Sequence, residues 1–409
     1  MNMKKIELLA PAGDLEKLKI AIDYGADAVY CGGERFGLRT ASRNFTTEQL
    51  AEGLAYAHEK GKKLYLTLNV FAHNEDLPEF YAYMDEIKDL PIDAYIVSDP
   101  GILQWMRDNR PDAELHLSTQ ANTTNKLSAL YWHKQGVKRI VLARELSLKE
   151  ISEIRHETPD ALELEAFVHG AMCISYSGRC LLSNYMAGRD ANRGECAHPC
   201  RWRYNVVEEK RPGEYYPVEE DSRGTYIFNS KDLCMIRYLP KLINAGVNSL
   251  KIEGRVKSIF YVAAVVGAYR KAIDAYMREG ENWVFRDSWL TEIEKASHRK
   301  FTTGFYFGKP DETDQNYESS QYIREYDFTG LVIGYDEETR LATVEQRNKM
   351  SLGDRIEIFG PGVEPFEQTL DYMTDENGEL LESAPHAQQI VKIRTIHPVF
   401  ENFMVSKPK

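Results

Sequence analysis

A chain of 409 residues, 43% of them hydrophobic, has apolar material for two or three domains, or for one large barrel with an appendix. With 28% charged residues and no low-complexity tract it reads as globular, and no apolar run reaches the ~18 residues of a transmembrane helix. The formal net charge of −12 disfavours bulk coating of nucleic acid, whose protein footprint is basic.

The first residues, Met1 to Pro11, carry no long apolar stretch, which argues against a secretory signal and for a cytoplasmic protein with reduced thiols. One pattern then repeats: a short apolar run, a polar residue or glycine at its end, and an amphipathic helical segment. The strands expected are Ile6–Ala10, Ala28–Cys31, Lys63–Asn69, Ala94–Val97, Glu114–Leu117, Arg139–Ala143, Leu162–Val168 and Ser249–Ile252. Helices are expected at Asp14–Tyr24, Thr47–Lys60, Asn125–Gln135 and Ser147–Glu157, with Gly25, Gly61, Gly136 and Gly246 as C-terminal caps of four helices.

Strand–helix alternation with short loops demands parallel strands and right-handed crossovers. Eight units predict an α/β protein built on a TIM-like (β/α)8 barrel; no GxGxxG follows the first strand to favour an open dinucleotide-binding sheet. Barrel active sites form at the strands' C-terminal ends. Those positions carry Asn69, Ser98-Asp99, Ser118-Thr119-Gln120, Arg144-Glu145, His169-Gly170 and Glu253-Gly254-Arg255.

The eighth unit is delayed by a cysteine-rich insertion over 169–235. Four of the six cysteines, Cys173, Cys180, Cys196 and Cys200, fall within 28 residues, interleaved with Gly178, Gly188 and Gly194. Zinc sites favour thiols two to four residues apart, which the six-residue gap between Cys173 and Cys180 fits poorly; iron–sulfur ligation tolerates wider spacing. Reduced structural or nucleophilic cysteines are the third reading. Cys234 is expected to begin a helix returning to the barrel, so five cysteines compete for four ligand positions. Cys31 reads as a small buried hydrophobe.

Around the cysteines, Arg179, Arg189, Arg193, Arg201 and Arg203 face only Asp190 and Glu195, a local basic stretch in an acidic chain. Arg179, Arg201, Trp202 and Arg203 are candidates to stack on bases and neutralise phosphates, against the plainer reading of a solvated loop with one buried Trp. A polar hairpin-like segment is expected around Glu208–Arg223. The first domain is placed at 1–285, a helical linker at 286–326, and a small C-terminal β-barrel domain, marked by short alternating strands, at 327–409.

His169, after its strand, is a candidate acid/base or substrate-binding group. Arg144 with Glu145, and Glu253 with Arg255, are structural ion pairs or a bidentate grip on an anion. With Glu165 these form the candidate catalytic set: His169, Glu165, Arg144, Glu253 and Arg255. Ser118, Thr119 and Ser177 have no nucleophile-elbow turn around them.

The run Glu165-x-Phe-Val-His-Gly-Ala-Met-Cys173-x4-Gly178-x-Cys180-Leu-Leu-Ser183 resembles the signature of the collagenase-like peptidase family, as do Asn229-Ser-Lys-Asp-Leu-Cys234, Lys251-Ile-Glu-Gly-Arg255 and the terminal β-domain. The resemblance spans the whole chain and is greatest to the tRNA hydroxylation branch. It implies a 4Fe–4S cluster, prephenate as hydroxyl source, and the wobble uridine of a tRNA anticodon arm as acceptor, converted to 5-hydroxyuridine. It implies Cys173, Cys180, Cys196 and Cys234 as ligands, with Cys200 the competitor, and allows a paralogous partner subunit. The rivals are a peptidase, for which the sequence shows no His-Glu-x-x-His, serine elbow or secretion signal, and a cluster-bearing protein acting on another RNA, on a quinone precursor, or as a scaffold.

Overall fold

The computed structural model describes residues 5–37, 44–173, 175–176, 179–201, 205–206, 216–217, 231–309 and 322–409. The alternation seen in the sequence becomes β1 (Glu7–Pro11), α1 (Leu15–Asp23), β2 (Ala28–Gly32), α2 (Thr47–Glu59), β3 (Lys63–Leu68), α3 (Leu77–Glu86), β4 (Ala94–Val97), α4 (Pro100–Asn109), β5 (Leu115–Leu117), α5 (Lys126–Lys134), β6 (Arg139–Val141), α6 (Leu148–His156) and β7 (Glu163–Ala171). The insertion contributes α7 (Leu182–Ala187), β8 (Asn205–Val206), β9 (Tyr216–Pro217) and β10 (Asp232–Cys234). The chain continues with α8 (Leu239–Asn244), β11 (Ser249–Ile252), α9 (Ile259–Glu279), α10 (Asp287–Lys295) and β12 (Phe301–Thr302).

Side chains start the helices where the sequence supplies oxygen acceptors. Asp14 accepts from the Lys17 N–H, and Thr46 with Gln49 and Ser147 with Glu150 form reciprocal capping boxes. The strands β2, β4, β5, β6 and β11 are buried along their whole length, as parallel strands covered by helices must be.

Strands β1 to β7 pair in order, all parallel, and β11 closes the ring by pairing with both β1 and β7. This is a (β/α)8 barrel. Two extra strands extend it outside the ring: β10 runs antiparallel to the end of β7, and β12 parallel to β10. The hairpin expected in the insertion is seen where β8 pairs antiparallel with β9; the remainder of Glu208–Arg223 lies outside the described residues.

The barrel interior is half apolar and half ionic. Leu9, Ala28, Tyr30, Tyr65, Ala94 and Ile96 pack together. Beside them Arg139 binds Glu7, Glu163 (2.7 Å) and Glu165 (3.3 Å), Tyr65 donates to Glu7 (2.7 Å), and Lys251 donates to Glu165 (2.9 Å).

The small β-domain is a seven-stranded antiparallel sheet over residues 326–408 with its own core of Val332, Val344, Ile356, Ile358, Val391, Ile393 and Val405. Its strands pair in linear order, and no bond joins the two outer strands among the described residues. It docks on the α1 and α9 side of the barrel. Phe328 stacks on Phe260, the Tyr24 hydroxyl reaches the Phe359 and Asn402 carbonyls, and Lys295 pairs with Glu357 at 2.7 Å with both buried. No helix among the described residues is long and apolar enough to cross a membrane.

Candidate active site

The strand ends that the sequence marked do converge. A cavity inside the mouth of the barrel is lined by Tyr30, Thr67, Asn69, Ser118, Thr119, Gln120, Arg144, Phe167, Lys251, Glu253 and Arg255, and the inserted loop covers it with Cys173, Cys180, Ala191 and Cys196. Arg255 donates to the Thr67 hydroxyl (3.1 Å), which donates to the Cys31 carbonyl (2.9 Å). A Cβ on Gly32 would lie 2.5 Å from the Arg255 guanidinium, so glycine there lets the arginine cross β2. Arg144 stacks on the Phe167 ring with its guanidinium carbon 4.0 Å from the centroid, and donates to the Ala171 carbonyl (3.1 Å). The Arg144 Nε is buried with no acceptor among the described residues.

Sequence reasoning missed Lys251, which lines the floor of this cavity. Its ammonium lies 4.3 Å from the Tyr30 ring centroid and 2.9 Å from Glu165. Burial raises the Glu165 carboxyl, but Lys251 and Arg139 outweigh it and hold the group below the usual carboxylate range. The available signal was strand periodicity: Ser249, Lys251 and Glu253 alternate onto one face of β11 and its continuation. With Lys251 matched by Glu165 beneath it, Arg144 and Arg255 against Glu253 give the cavity a cationic excess.

Two candidates are corrected. Glu165 is fully buried in the ionic network and is absent from the cavity wall; it meets the cavity-lining residue Lys251 from behind. His169 does not reach the mouth. Parity along β7 would turn Glu165, Phe167 and His169 inward together, but pairing with β11 slips between Lys251 and Ile252, opposite Phe167 and His169, so Val168 is bulged. The bulge turns His169 outward between Tyr261, Tyr269 and Phe301. Burial, with Lys257 and His298 nearby, pushes its pKa down to about 3, so the ring is neutral.

Cys234 follows His169. It sits on β10, not at the start of a helix, and is the direct cross-strand partner of His169, so the two share a face. Burial pushes its thiol up to about 12, and Tyr269 is its hydrogen-bond neighbour. Cys173, Cys180, Cys196 and Cys200, by contrast, line one recess with Arg144, Glu253, Lys257, Arg299 and Tyr322, immediately outside the barrel cavity. The first three of these cysteines face both spaces.

The loop that carries them is tied down. Asn192 accepts from the Cys180 N–H and donates to the Cys180 carbonyl, each at 3.0 Å. Buried Ser183 accepts from the Ala197 N–H (2.9 Å), and Arg193 pairs with Asp76 (2.7 Å). Arg179 is a brace at the rim, donating to the Gln120 carbonyl (2.8 Å) with its guanidinium 5.3 Å from the Phe71 ring. Arg201 closes a short helical turn, Pro199–Arg201; its side chain, with Trp202 and Arg203, lies outside the described residues.

All six cysteines are free of disulfides. Among the described residues no three His, Cys, Asp or Glu groups converge on a single ion. Four thiols spread around one recess suit a polynuclear cluster, whose metal atoms meet their ligands at separate corners.

Fold and site together define a (β/α)8 barrel protein whose cationic interior cavity is roofed by a cysteine-bearing loop. The chain belongs to peptidase family U32: the model of that family matches residues 13–316, and that of the family's C-terminal domain matches residues 324–405. It is 45% identical to tRNA hydroxylation protein P1 of Bacillus subtilis, over 99% of this chain and 96% of that one. It is 40% identical to tRNA hydroxylation protein P of Escherichia coli, over 94% of this chain and 92% of that one. The 23S rRNA 5-hydroxycytidine C2501 synthase of Escherichia coli is 37% identical over 75% of this chain and 46% of that protein.

Proposed function

We propose that this protein hydroxylates RNA bases and, within that class, converts the wobble uridine of tRNA to 5-hydroxyuridine without molecular oxygen, using prephenate and a 4Fe–4S cluster. The observation that carries the reading is the adjacency of two spaces. A recess with four cysteines opens beside a cavity in the barrel mouth that presents Arg144, Lys251 and Arg255. The names borne by relatives at 45% and 40% identity over nearly the whole chain support RNA as the acceptor.

Cys173, Cys180 and Cys196 would hold the cluster, with the fourth position a choice between Cys200, which shares the recess, and Cys234, which lies behind His169. Bound there, the cluster supplies redox or Lewis-acid chemistry. The chain's own residues do the positioning. Arg144 and Arg255 hold the two carboxylates of prephenate, Arg144 in an orientation fixed by its stack on Phe167. Lys251 adds a third positive group at the floor, and the lid of Cys173, Cys180 and Ala191 limits entry of water.

The family's peptidase name finds no support in the cavity. Its buried serine, Ser118, is hydrogen-bonded to Asn69 (3.3 Å) and Gln120 (3.4 Å), not to a histidine base. Deletion of the gene followed by nucleoside analysis of total tRNA tests the proposal. Loss of 5-hydroxyuridine and its derivatives, restored by the wild-type gene, is expected; an unchanged nucleoside profile would overturn it.

A further inference from the structure

The short helix α7 and the residue before it carry a solvent-facing apolar pair with no packing partner among the described residues. Leu181 and Tyr185 are i and i+4, joined by the Tyr185 N–H to Leu181 carbonyl bond (2.9 Å), so their side chains lie together on one face. They are 76% and 89% exposed, in a protein whose other aromatic side chains are mostly packed. Large apolar groups held in water beside a functional centre mark contact surfaces.

The opposite side of the same turn is fixed to the cysteine loop. Ser183 is fully buried and accepts from Ala197, next to Cys196, and the Arg189 N–H closes on the Ser183 carbonyl (3.4 Å). Leu181 directly follows Cys180, and Leu182 lines the cysteine recess. The backbone that carries the apolar pair is therefore anchored at the rim of the recess. Exposed arginines bracket it, Arg179 before and Arg189 after, in a chain of net charge −12.

We propose that Leu181 and Tyr185 form a stacking platform for an RNA nucleobase, the neighbour of the base that enters the site, with Arg189 placed against the adjoining backbone phosphate. An aromatic face on an anchored backbone, flanked by guanidinium groups, is the combination that captures unstacked single-stranded bases, and it needs no base-specific hydrogen bonds. The charge pattern selects a polyanion over an apolar protein partner. The inference rests on the RNA-hydroxylase reading and adds to it the residues that grip the substrate outside the cavity.

The test is fluorescence anisotropy of a fluorescein-labelled RNA stem-loop with unpaired uridine in its loop, titrated with the full-length protein over a range of salt. Tyr185→Ala is expected to weaken binding about 5- to 150-fold, the range for loss of one stacked base, while Tyr185→Phe binds like wild type. Because stacking releases no counterions, Tyr185→Ala leaves the slope of log K against log salt unchanged, whereas Arg189→Ala makes it shallower. Both positions are on the surface, and unchanged circular dichroism and cysteine-bound iron show that the variants are folded. Wild-type RNA binding with equal affinity for a Leu181→Ala/Tyr185→Ala double variant overturns this inference and leaves the hydroxylase reading standing. Wild-type failure to bind the RNA overturns both. Gel filtration showing a dimer that Tyr185→Ala dissociates would assign the pair to a contact between copies and overturn the platform.

Discussion

Lys251 Nζ lies 2.9 Å from Glu165 Oε1, and both side chains are shut off from solvent inside the barrel. The pair joins the cavity to the ionic network beneath it, because the other Glu165 oxygen meets Arg139 at 3.3 Å and Ser249 at 3.0 Å. Removing one member of a buried ion pair strands the other charge, which costs more than the pair itself contributes. Glu165→Gln is therefore expected to destabilise the fold by about 3–5 kcal/mol, and Lys251→Met by less. Urea unfolding followed by circular dichroism measures both; near-equal midpoints for wild type and Glu165→Gln would show that the network carries no net charge coupling.

Among the described residues Arg144 is held by a ring and one carbonyl, and its buried Nε meets no acceptor there. Lysine keeps the charge but loses both the stack and the bidentate geometry. If prephenate is the hydroxyl source proposed above, Arg144→Lys should raise its KM about 10- to 100-fold, the equivalent of one charge-assisted hydrogen bond, with a smaller change in kcat. Steady-state hydroxylation of tRNA at varied prephenate measures the split. A fall in kcat at constant KM would place Arg144 outside the anion grip.

Much of this site was legible in the sequence, and the exceptions have separate physical causes. Asn69, Ser118, Gln120, Arg144, Glu253 and Arg255 were found because short buried strands with a polar end residue announce the barrel mouth. Lys251 was hidden because a lysine two residues inside a strand reads as a solvated position unless the strand is known to face an ionic interior. His169 was misplaced by the bulge at Val168, which reverses side-chain direction with no local signature. Three residues of β10 are too few to show a period, so Cys234 was assigned to the helix that follows.

His169 predicts a pH effect. Its folded pKa, near 3, lies below the ordinary 6.5, so between these values the unfolded chain binds a proton that the native protein does not. Stability from this group is complete above about 6.5 and is lost as pH falls towards 3, by at most about 1.4 kcal/mol per pH unit. His169→Gln cannot titrate, and its unfolding midpoint should vary less between pH 6.5 and 4 than the wild type's. Parallel pH profiles for the two proteins would show that His169 is not the group responsible.

Cys200 and Cys234 make opposite predictions, which single Cys→Ser variants resolve. The thiol of Cys200 shares the recess with Cys173, Cys180 and Cys196, whereas that of Cys234 lies against Tyr269 with its proton firmly held. Ligation needs the thiolate, so recruiting Cys234 requires the metal to draw off that proton and the Cys234 side chain to leave the face it shares with His169. If Cys200 is the fourth ligand, Cys200→Ser purified anaerobically loses iron and sulfide, and Cys234→Ser keeps both while losing about 1–2 kcal/mol of stability as a buried polar substitution. If Cys234 is the ligand, the iron contents reverse, and β10 must shift against β7 when the cluster assembles. Hydrogen exchange at the Met235 N–H, which bonds to the Val168 carbonyl at 2.9 Å, would report that shift as a difference in protection between cluster-loaded and cluster-free protein.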